Sequence, residues 1–487
     1  MSMVYDALFV GGRWVTPSGS DRIEVTSAST EQFLGSVPDG TSADVDRAVA
    51  AARTAFDDPA GWSAWSPRQR QLALTRLADA LDERSQETVR RVSGQNGMPV
   101  TTGAYSEAVA PGYLLRYYAG LAAADEGERH RRSMAMGTTV VRNEPLGVLA
   151  AIVPWNFPQT LTFCKLAPAL AAGCTVVVKP APDTVLDAFL LAEAIEEAQL
   201  PAGVVSIVPG NGALGAYLVA HPGVDKVAFT GSTAAGREIG QVCGRLLRPV
   251  TLELGGKSAA ILLPDVDLDA ALPSLAAATM GNNGQTCYLS TRILAPWSRY
   301  AEAVDAVTAL AEGLRVGDPF DQATEVGPLV SSTQRDRVER YIAAGRAEGG
   351  RITTGGGRPS GFDQGWYVEP TVFADVDNQA TVSREEIFGP VLVVIGYQDV
   401  DHAVALANDS DYGLAGTVWT ADEERGLAVA RRVRTGTIGV NGYALDIGAP
   451  FGGIKASGLG RELGPEALRS YQQPKSMYLP NRGFPQA

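Results

Sequence analysis

Cysteine and histidine are scarce in this chain: four and three, respectively, in 487 residues. Cys164, Cys174, Cys243 and Cys287 form no C-x-x-C pair and stand beside no histidine cluster, so the sequence supports neither a zinc centre nor a disulfide framework, and no metal is expected. Long apolar runs are also missing, and Met1-Ser2-Met3-Val4-Tyr5-Asp6 lacks a basic segment leading into an apolar core. The expectation is a soluble, cytoplasmic protein with no membrane partner. Positive charge is in deficit too, with a formal net charge of −13. Such a surface repels phosphate backbones, which removes nucleic acid as a partner.

What is present is ordinary globular composition, 45% hydrophobic and 20% charged, in a chain long enough for two or more domains. The first hundred residues combine a strand-like start, Leu8 to Val15, with helices. Val45, Val49, Ala52 and Phe56 share one helical face, and Ser66-Pro67 is an N-cap and first-turn pair for a helix whose core face is expected at Leu72, Leu77 and Leu81. From Val148 apolar strands at 148–153, 175–178, 204–208, 226–229 and 250–253 alternate with helical stretches such as Thr184 to Leu200. A second alternation has strands at 259–263, 391–396, 414–419 and 437–440 and a helix from Asp422 to Val433. Alternation of this kind predicts two α/β domains, each a doubly wound, Rossmann-like parallel sheet. Residues 125–145 and the tail from Ser470 to Leu479 are strand-like, either an extended arm or edge strands.

Chemistry concentrates in Gly281-Asn282-Asn283-Gly284-Gln285-Thr286-Cys287, a glycine-bent loop that leaves a thiol open to approach. Read alone, such a cysteine is an inert core residue more often than a nucleophile. A nucleophilic thiol needs a base or a positive environment. His130, His221 and His402 lie in segments unsuited to that task, so Glu253, closing an apolar strand before Gly255-Gly256, is the better partner. Two glycine turns compete for a phosphate. Gly210-Asn211-Gly212-Ala213-Leu214-Gly215 matches G-x-G-x-x-G, and Gly231-Ser232-Thr233-Ala234-Ala235-Gly236 also follows a strand and opens a helix.

Six stretches occur in order: Pro154-Trp155-Asn156-Phe157-Pro158, Phe229-Thr230-Gly231-Ser232, Leu252-Glu253-Leu254-Gly255-Gly256-Lys257, Gly284-Gln285-Thr286-Cys287, Glu385-Glu386-Ile387-Phe388-Gly389-Pro390 and Pro450-Phe451-Gly452-Gly453. Together they resemble the NAD(P)-dependent aldehyde dehydrogenase superfamily, from about Gly11 to the C-terminus. The resemblance implies an NAD(P)-binding domain at 1–124 and 146–257, a catalytic domain at 258–457, and bridging segments at 125–145 and 458–487 that assemble a homodimer or homotetramer. It implies Cys287 as nucleophile, Asn156 as oxyanion donor, Glu253 as base for hydrolysis, and Lys165 with Glu462 as a proton relay. Without the resemblance that last pair reads as a surface salt bridge. Cofactor contacts are implied at Ile152, Pro154, Trp155, Lys179, Gly212, Gly231, Ser232, Gly236, Leu254, Glu386 and Phe388, with the second glycine turn facing the pyrophosphate. Where many NAD-preferring members carry a glutamate that repels a 2'-phosphate this chain has Pro182, which leaves NADP open; no arginine stands close in sequence to clamp such a phosphate, and NAD is the expectation.

Phe157, Leu161, Cys164, Tyr288 and Phe451 match the family's substrate funnel. Their apolar character implies a medium or large hydrophobic or aromatic aldehyde, and Asp446 keeps an amino-aldehyde open if its side chain faces the funnel. The implied reaction is oxidation of an aldehyde to the free acid. The alternatives are acyl transfer to coenzyme A, a cofactor-free thiol hydrolase, and a non-catalytic binding protein of the same fold.

Overall fold

The structure, a computed structural model, describes residues 2–124 and 127–482. Residues 125–126 and 483–487 of the expected bridging segments lie outside the described residues.

Two large sheets organise the chain. The first has eight strands in the order Gly458–Leu459, Val250–Glu253, Lys226–Thr230, Val148–Ile152, Thr175–Lys179, Val205–Ile207, Leu8–Val10, Arg13–Val15. Its five central strands are parallel, and the edges are antiparallel. Helices cover both faces, which is why the central strands are continuous apolar runs without alternation. The second sheet has seven strands: Arg351–Thr354, Thr371–Ala374, Val391–Tyr397, Arg292–Pro296, Ala259–Leu262, Gly416–Trp419, Gly439–Val440. All pairings but the first are parallel. The strands expected from sequence fall in these two sheets within a few residues of their expected ends.

A three-stranded antiparallel sheet of Glu128–Arg132, Thr138–Pro145 and Gln472–Leu479 stands apart from both. Ser470 belongs to the preceding helix, Gly464–Ser470, so the tail strand starts two residues later than expected. A small sheet of Met3–Val4, Phe33–Pro38 and Arg22–Thr26 was not expected; its strands are short and carry few adjacent apolar residues.

Ser66 caps the helix Pro67–Glu83 as expected, reciprocated by Gln69 in a capping box. The expected core position Leu72 is a correction: it is 48% exposed, because the stripe that packs inward runs through Ala73, Leu74, Leu77, Ala78 and Leu81. A 3.6-residue period puts position 72 outside the arc that includes 74, 77, 78 and 81. Phe56 is half-buried at the end of its helix.

Candidate active site

The cysteine loop follows the helix Leu268–Met280. After Gly281 the chain turns through three residues of positive φ, Asn282 (51°), Asn283 (60°) and Gly284 (74°), a region that asparagine tolerates and glycine prefers. Side-chain amides fasten this turn. Asn283 Nδ2 donates to the Gly97 and Pro328 carbonyls, both at 2.9 Å, and its Oδ1 accepts from Gly327 N at 2.6 Å. Gln285 Oε1 accepts from Val330 N at 3.1 Å. Cys287 emerges half-buried from this support.

Three further segments meet it. Asn156, 4% exposed, lies in the loop after strand Val148–Ile152 and donates from Nδ2 to the Gln285 carbonyl at 2.9 Å. The glycine pair after Glu253 permits close approach: a Cβ on Gly255 would lie 2.4 Å from the Glu386 carboxylate, and one on Gly256 2.5 Å from the Cys287 carbonyl. Gly256 N donates instead to Glu386 Oε1 at 2.9 Å. Burial pushes the Glu386 carboxyl up to about 7. Phe388, at φ 63°, turns its ring edge-on to Trp155 with centroids 5.4 Å apart.

Pro154, Trp155, Asn156, Gly231, Ser232, Leu254, Cys287, Glu386 and Phe388 thus line one cavity of about 200 Å³. Thr230, Gln334 and Arg337 also line it. The last two are residues that sequence reasoning missed. They belong to the helix Ser332–Ala347, where Gln334 Nε2 donates to the Phe388 carbonyl at 2.7 Å and Arg337 Nη2 to the Glu386 carbonyl at 2.6 Å. Nothing in Ser331-Ser332-Thr333-Gln334-Arg335-Asp336-Arg337 distinguishes these side chains from a solvated helix face.

The other expected residues are not among those that line this cavity. Glu253 ends its strand buried, its carboxylate oxygens without hydrogen-bond partners among the described residues, and a Cβ on Gly452 would stand 2.5 Å from its Oε1. Burial, then the Glu462 charge, raises the Glu253 carboxyl well above its ordinary value. Burial likewise raises the Cys287 thiol, helped by Glu386 and Glu253. The surface salt bridge expected of Lys165 and Glu462 is a correction. The pair is buried, with Nζ 2.7 Å from Glu462 Oε1, because the helix Pro158–Ala172 lies between sheet and neighbouring helices. Lys165 also donates to Thr230 Oγ1 at 2.5 Å.

Ile152 closes its strand, 6% exposed. Gly236 is buried where a Cβ would strike Leu254, while Gly212 is exposed at the start of helix Gly212–Ala220. Lys179 is buried, donating to the Gly210 carbonyl at 2.6 Å and the Pro180 carbonyl at 3.0 Å. Burial lowers it to about 8, against the opposing charges of Asp39 and Asp183.

Among the expected funnel residues, Phe157, Leu161 and Tyr288 are half-buried. Tyr288 stacks on Tyr443 at 4.7 Å and meets Phe451 edge-on at 6.4 Å. Tyr443 was not singled out from sequence, although its aromatic character in a loop is the signal that marks it. Cys164, 4% exposed, and Phe451, 7% exposed, belong to one apolar cluster, against which Cys287 and Tyr288 also pack. Asp446 is exposed, and its Oδ1 accepts from Gly448 N at 2.8 Å within its own loop.

The residues present fit a dinucleotide. Gly231 and Ser232 put the N-terminus of helix Thr233–Leu246 at the cavity wall, where backbone N–H groups and the helix dipole favour a phosphate. The carboxyl ends of parallel strands are where open α/β sheets bind such ligands. A thiol and an amide beside that wall define the class of enzymes that pair covalent chemistry on carbonyl compounds with a dinucleotide.

The aldehyde dehydrogenase family model matches residues 14–477. The geranial dehydrogenase of Castellaniella defragrans is 54% identical over 479 residues, covering 98% of this chain and 100% of that protein. Among solved structures, a Mycobacterium tuberculosis aldehyde dehydrogenase complexed with NAD+ has a TM-score of 0.96 at 48% identity and covers 99% of each chain. An aldehyde dehydrogenase C mutant from Pseudomonas syringae, in complex with NAD+ and octanal, has a TM-score of 0.93 at 39% identity, covering 97% of this chain and 96% of that one. The chain belongs to the aldehyde dehydrogenase family: it is an oxidoreductase that acts on an aldehyde with NAD as cofactor.

Proposed function

We propose that the protein oxidises a medium or large hydrophobic aldehyde to its carboxylic acid by hydrolysis of an acyl-Cys287 intermediate. The single observation that carries this reading is the convergence of Cys287 and Asn156 on the cavity that Glu386, Phe388 and Ser232 also line.

In this reading the half-buried Cys287 thiol releases its proton to solvent, the sulfur adds to the carbonyl carbon, and negative charge develops on the oxygen. The Asn156 amide and the Cys287 backbone N–H hold that oxyanion; loss of one such donor typically costs roughly a hundredfold to a thousandfold in rate. NAD, when bound, supplies the hydride acceptor. Expulsion of hydride from the tetrahedral carbon restores the carbonyl as a thioester on Cys287. Glu253 then takes a proton from water, which attacks the thioester and releases acid and thiol. For that step Glu253 must turn from its pocket against Gly452 toward the cavity. The buried Lys165–Glu462 pair beside it offers a route for the proton. A carboxylate at position 253 favours hydrolysis over transfer to coenzyme A.

Glu386 and Phe388 hold the nicotinamide ribose and ring, and Ser232 the pyrophosphate. At the adenosine end, Lys179 is flanked by Asp39 and Asp183. Those carboxylates oppose a 2'-phosphate despite Pro182, and favour NAD over NADP. The dinucleotide domain comprises 1–124 and 146–257, the thiol domain 258–457, and the arm joins subunits into a homodimer or homotetramer.

A hydrophobic substrate is supported by the Tyr288–Tyr443–Phe451 cluster and by the geranial named for the relative at 54% identity. The test is NADH formation with geranial and octanal, run beside Cys287→Ala. Turnover with the parent and none with the variant is expected. Turnover that persists in Cys287→Ala overturns the mechanism, and strict dependence on coenzyme A overturns hydrolysis.

A further inference from the structure

Asn156 sits in a loop, so its amide is only as well placed as the backbone that carries it. That backbone is held by two side-chain amides. Asn282 of the cysteine loop donates from Nδ2 to the Asn156 carbonyl at 3.0 Å. Asn96, 1% exposed, also donates, from its Nδ2 to the Trp155 carbonyl at 3.1 Å and to the Asn156 carbonyl at 3.3 Å. One side-chain amide therefore spans two consecutive peptide carbonyls of the loop.

Asn96 is itself fixed. It is the last residue of helix Ser85–Asn96, which Gly97 terminates at φ 77°, and its Oδ1 accepts from Met98 N at 3.0 Å. A Cβ at position 97 would lie 2.3 Å from the Pro328 carbonyl, so the turn leaving the helix is pressed against the strut behind the cysteine loop. That strut is the one Asn283 also holds, through Gly97 and Pro328. The neighbouring Gln95 turns the other way, donating to Asp187 at 3.1 Å and accepting from Leu186 N at 2.8 Å. The helix end is anchored on both sides, and Asn96 is its contact with the Trp155–Asn156 peptides.

We propose that Asn96 is a positioning residue of the reaction. It touches neither aldehyde nor cofactor; it fixes the Trp155–Asn156 backbone so that the Asn156 side chain meets the developing oxyanion while remaining bonded to the Gln285 carbonyl. This inference rests on the oxyanion role proposed for Asn156. Misplacing a reacting contact by about 1 Å costs on the order of a hundredfold. Asn96→Ala removes both donors without touching the cavity wall.

The experiment is a double-mutant cycle on the full chain: kcat and KM for octanal and NAD in the parent, Asn96→Ala, Asn156→Ala and the double variant, with NAD affinity read separately by calorimetry. Asn96→Ala is expected to lower kcat by roughly tenfold to a hundredfold. The NAD Kd should stay within about twofold, and the double variant should be no slower than Asn156→Ala alone. A parent-like kcat in Asn96→Ala, or losses that multiply in the double variant, overturns the proposal. A parent-like kcat in Asn156→Ala instead overturns the oxyanion reading, so the two failures are distinct. If Asn96→Ala does not fold, Asn96→Ser is measured in the same cycle and decided by the same outcomes.

Discussion

Cys287 and Glu253 face the same physical problem: each must carry negative charge during the reaction, and each sits where burial opposes it. Both are raised by desolvation first and by neighbouring carboxylates second. The free protein therefore keeps a protonated thiol at neutral pH. Alkylation of Cys287 by iodoacetamide is expected to be slow at about pH 7 and to climb steadily to about pH 9 without a plateau. Kinetics showing a fully reactive thiolate at neutral pH would contradict this. Since a base must be ionised to act, thioester hydrolysis should also quicken as pH rises through the elevated range of Glu253, and Glu253→Gln should remove that dependence. Single-turnover release of acid at a series of pH values reads it directly.

The elements around the cavity are placed by backbone devices that residue types reveal only in part. Gly284 has positive φ, and a Cβ there would stand 2.2 Å from the Gly389 carbonyl, so the cysteine loop and the Glu385–Pro390 loop interlock. Gly284→Ala is expected to cost about 1–3 kcal/mol in denaturant unfolding and to reduce activity more steeply than stability. A variant with parent-like stability and turnover would show the contact to be loose. Glu107 lies in a π-helical turn, Ala104–Val109, where its Oε2 accepts from Gln159 N at 2.8 Å. Burial pushes it up to about 8. A carboxyl raised on folding binds its proton more tightly in the folded state, so its contribution to stability is complete below the unfolded value and fades as pH climbs toward 8. Glu107→Gln should flatten the fall in melting temperature between about pH 5 and pH 8. An unchanged slope would place the effect elsewhere.

At the scale of the molecule, the two sheets were legible because their strands are buried on both faces and read as unbroken apolar runs. The helix Ser332–Ala347 shows the limit: Gln334 and Arg337 look like solvent-facing polar residues until the fold lays them against Glu386 and Phe388. Leu72 failed for the converse reason, since apolar character says that a residue can be buried and not which face turns inward. Lys165 and Glu462 are 297 positions apart, and only the fold makes them a buried pair. The motifs pointed to the thiol, amide and carboxylate, and Asn282 and Asn283 lie in the cysteine stretch, but Asn96 at its helix end went unmarked, because an asparagine carries no signature of the partner it will hold. The antiparallel arm carries Met134 and Met136, exposed between its first two strands, and Tyr478, exposed on its tail strand. If the arm joins subunits as proposed, Met134→Glu with Met136→Glu should shift the mass in light scattering toward the monomer and leave far-UV circular dichroism unchanged. An unaltered oligomer would move the interface elsewhere.

The central claim is that oxidation passes through an acyl group on Cys287 that Glu253 helps to hydrolyse. The measurement that reaches it most directly is intact-protein mass spectrometry of Glu253→Gln after mixing with octanal and NAD, followed by peptide mapping. The account predicts an octanoyl adduct on Cys287 that accumulates with about one NADH per active site and decays slowly. NADH formation with no adduct at Cys287, or an adduct at another residue, would contradict it.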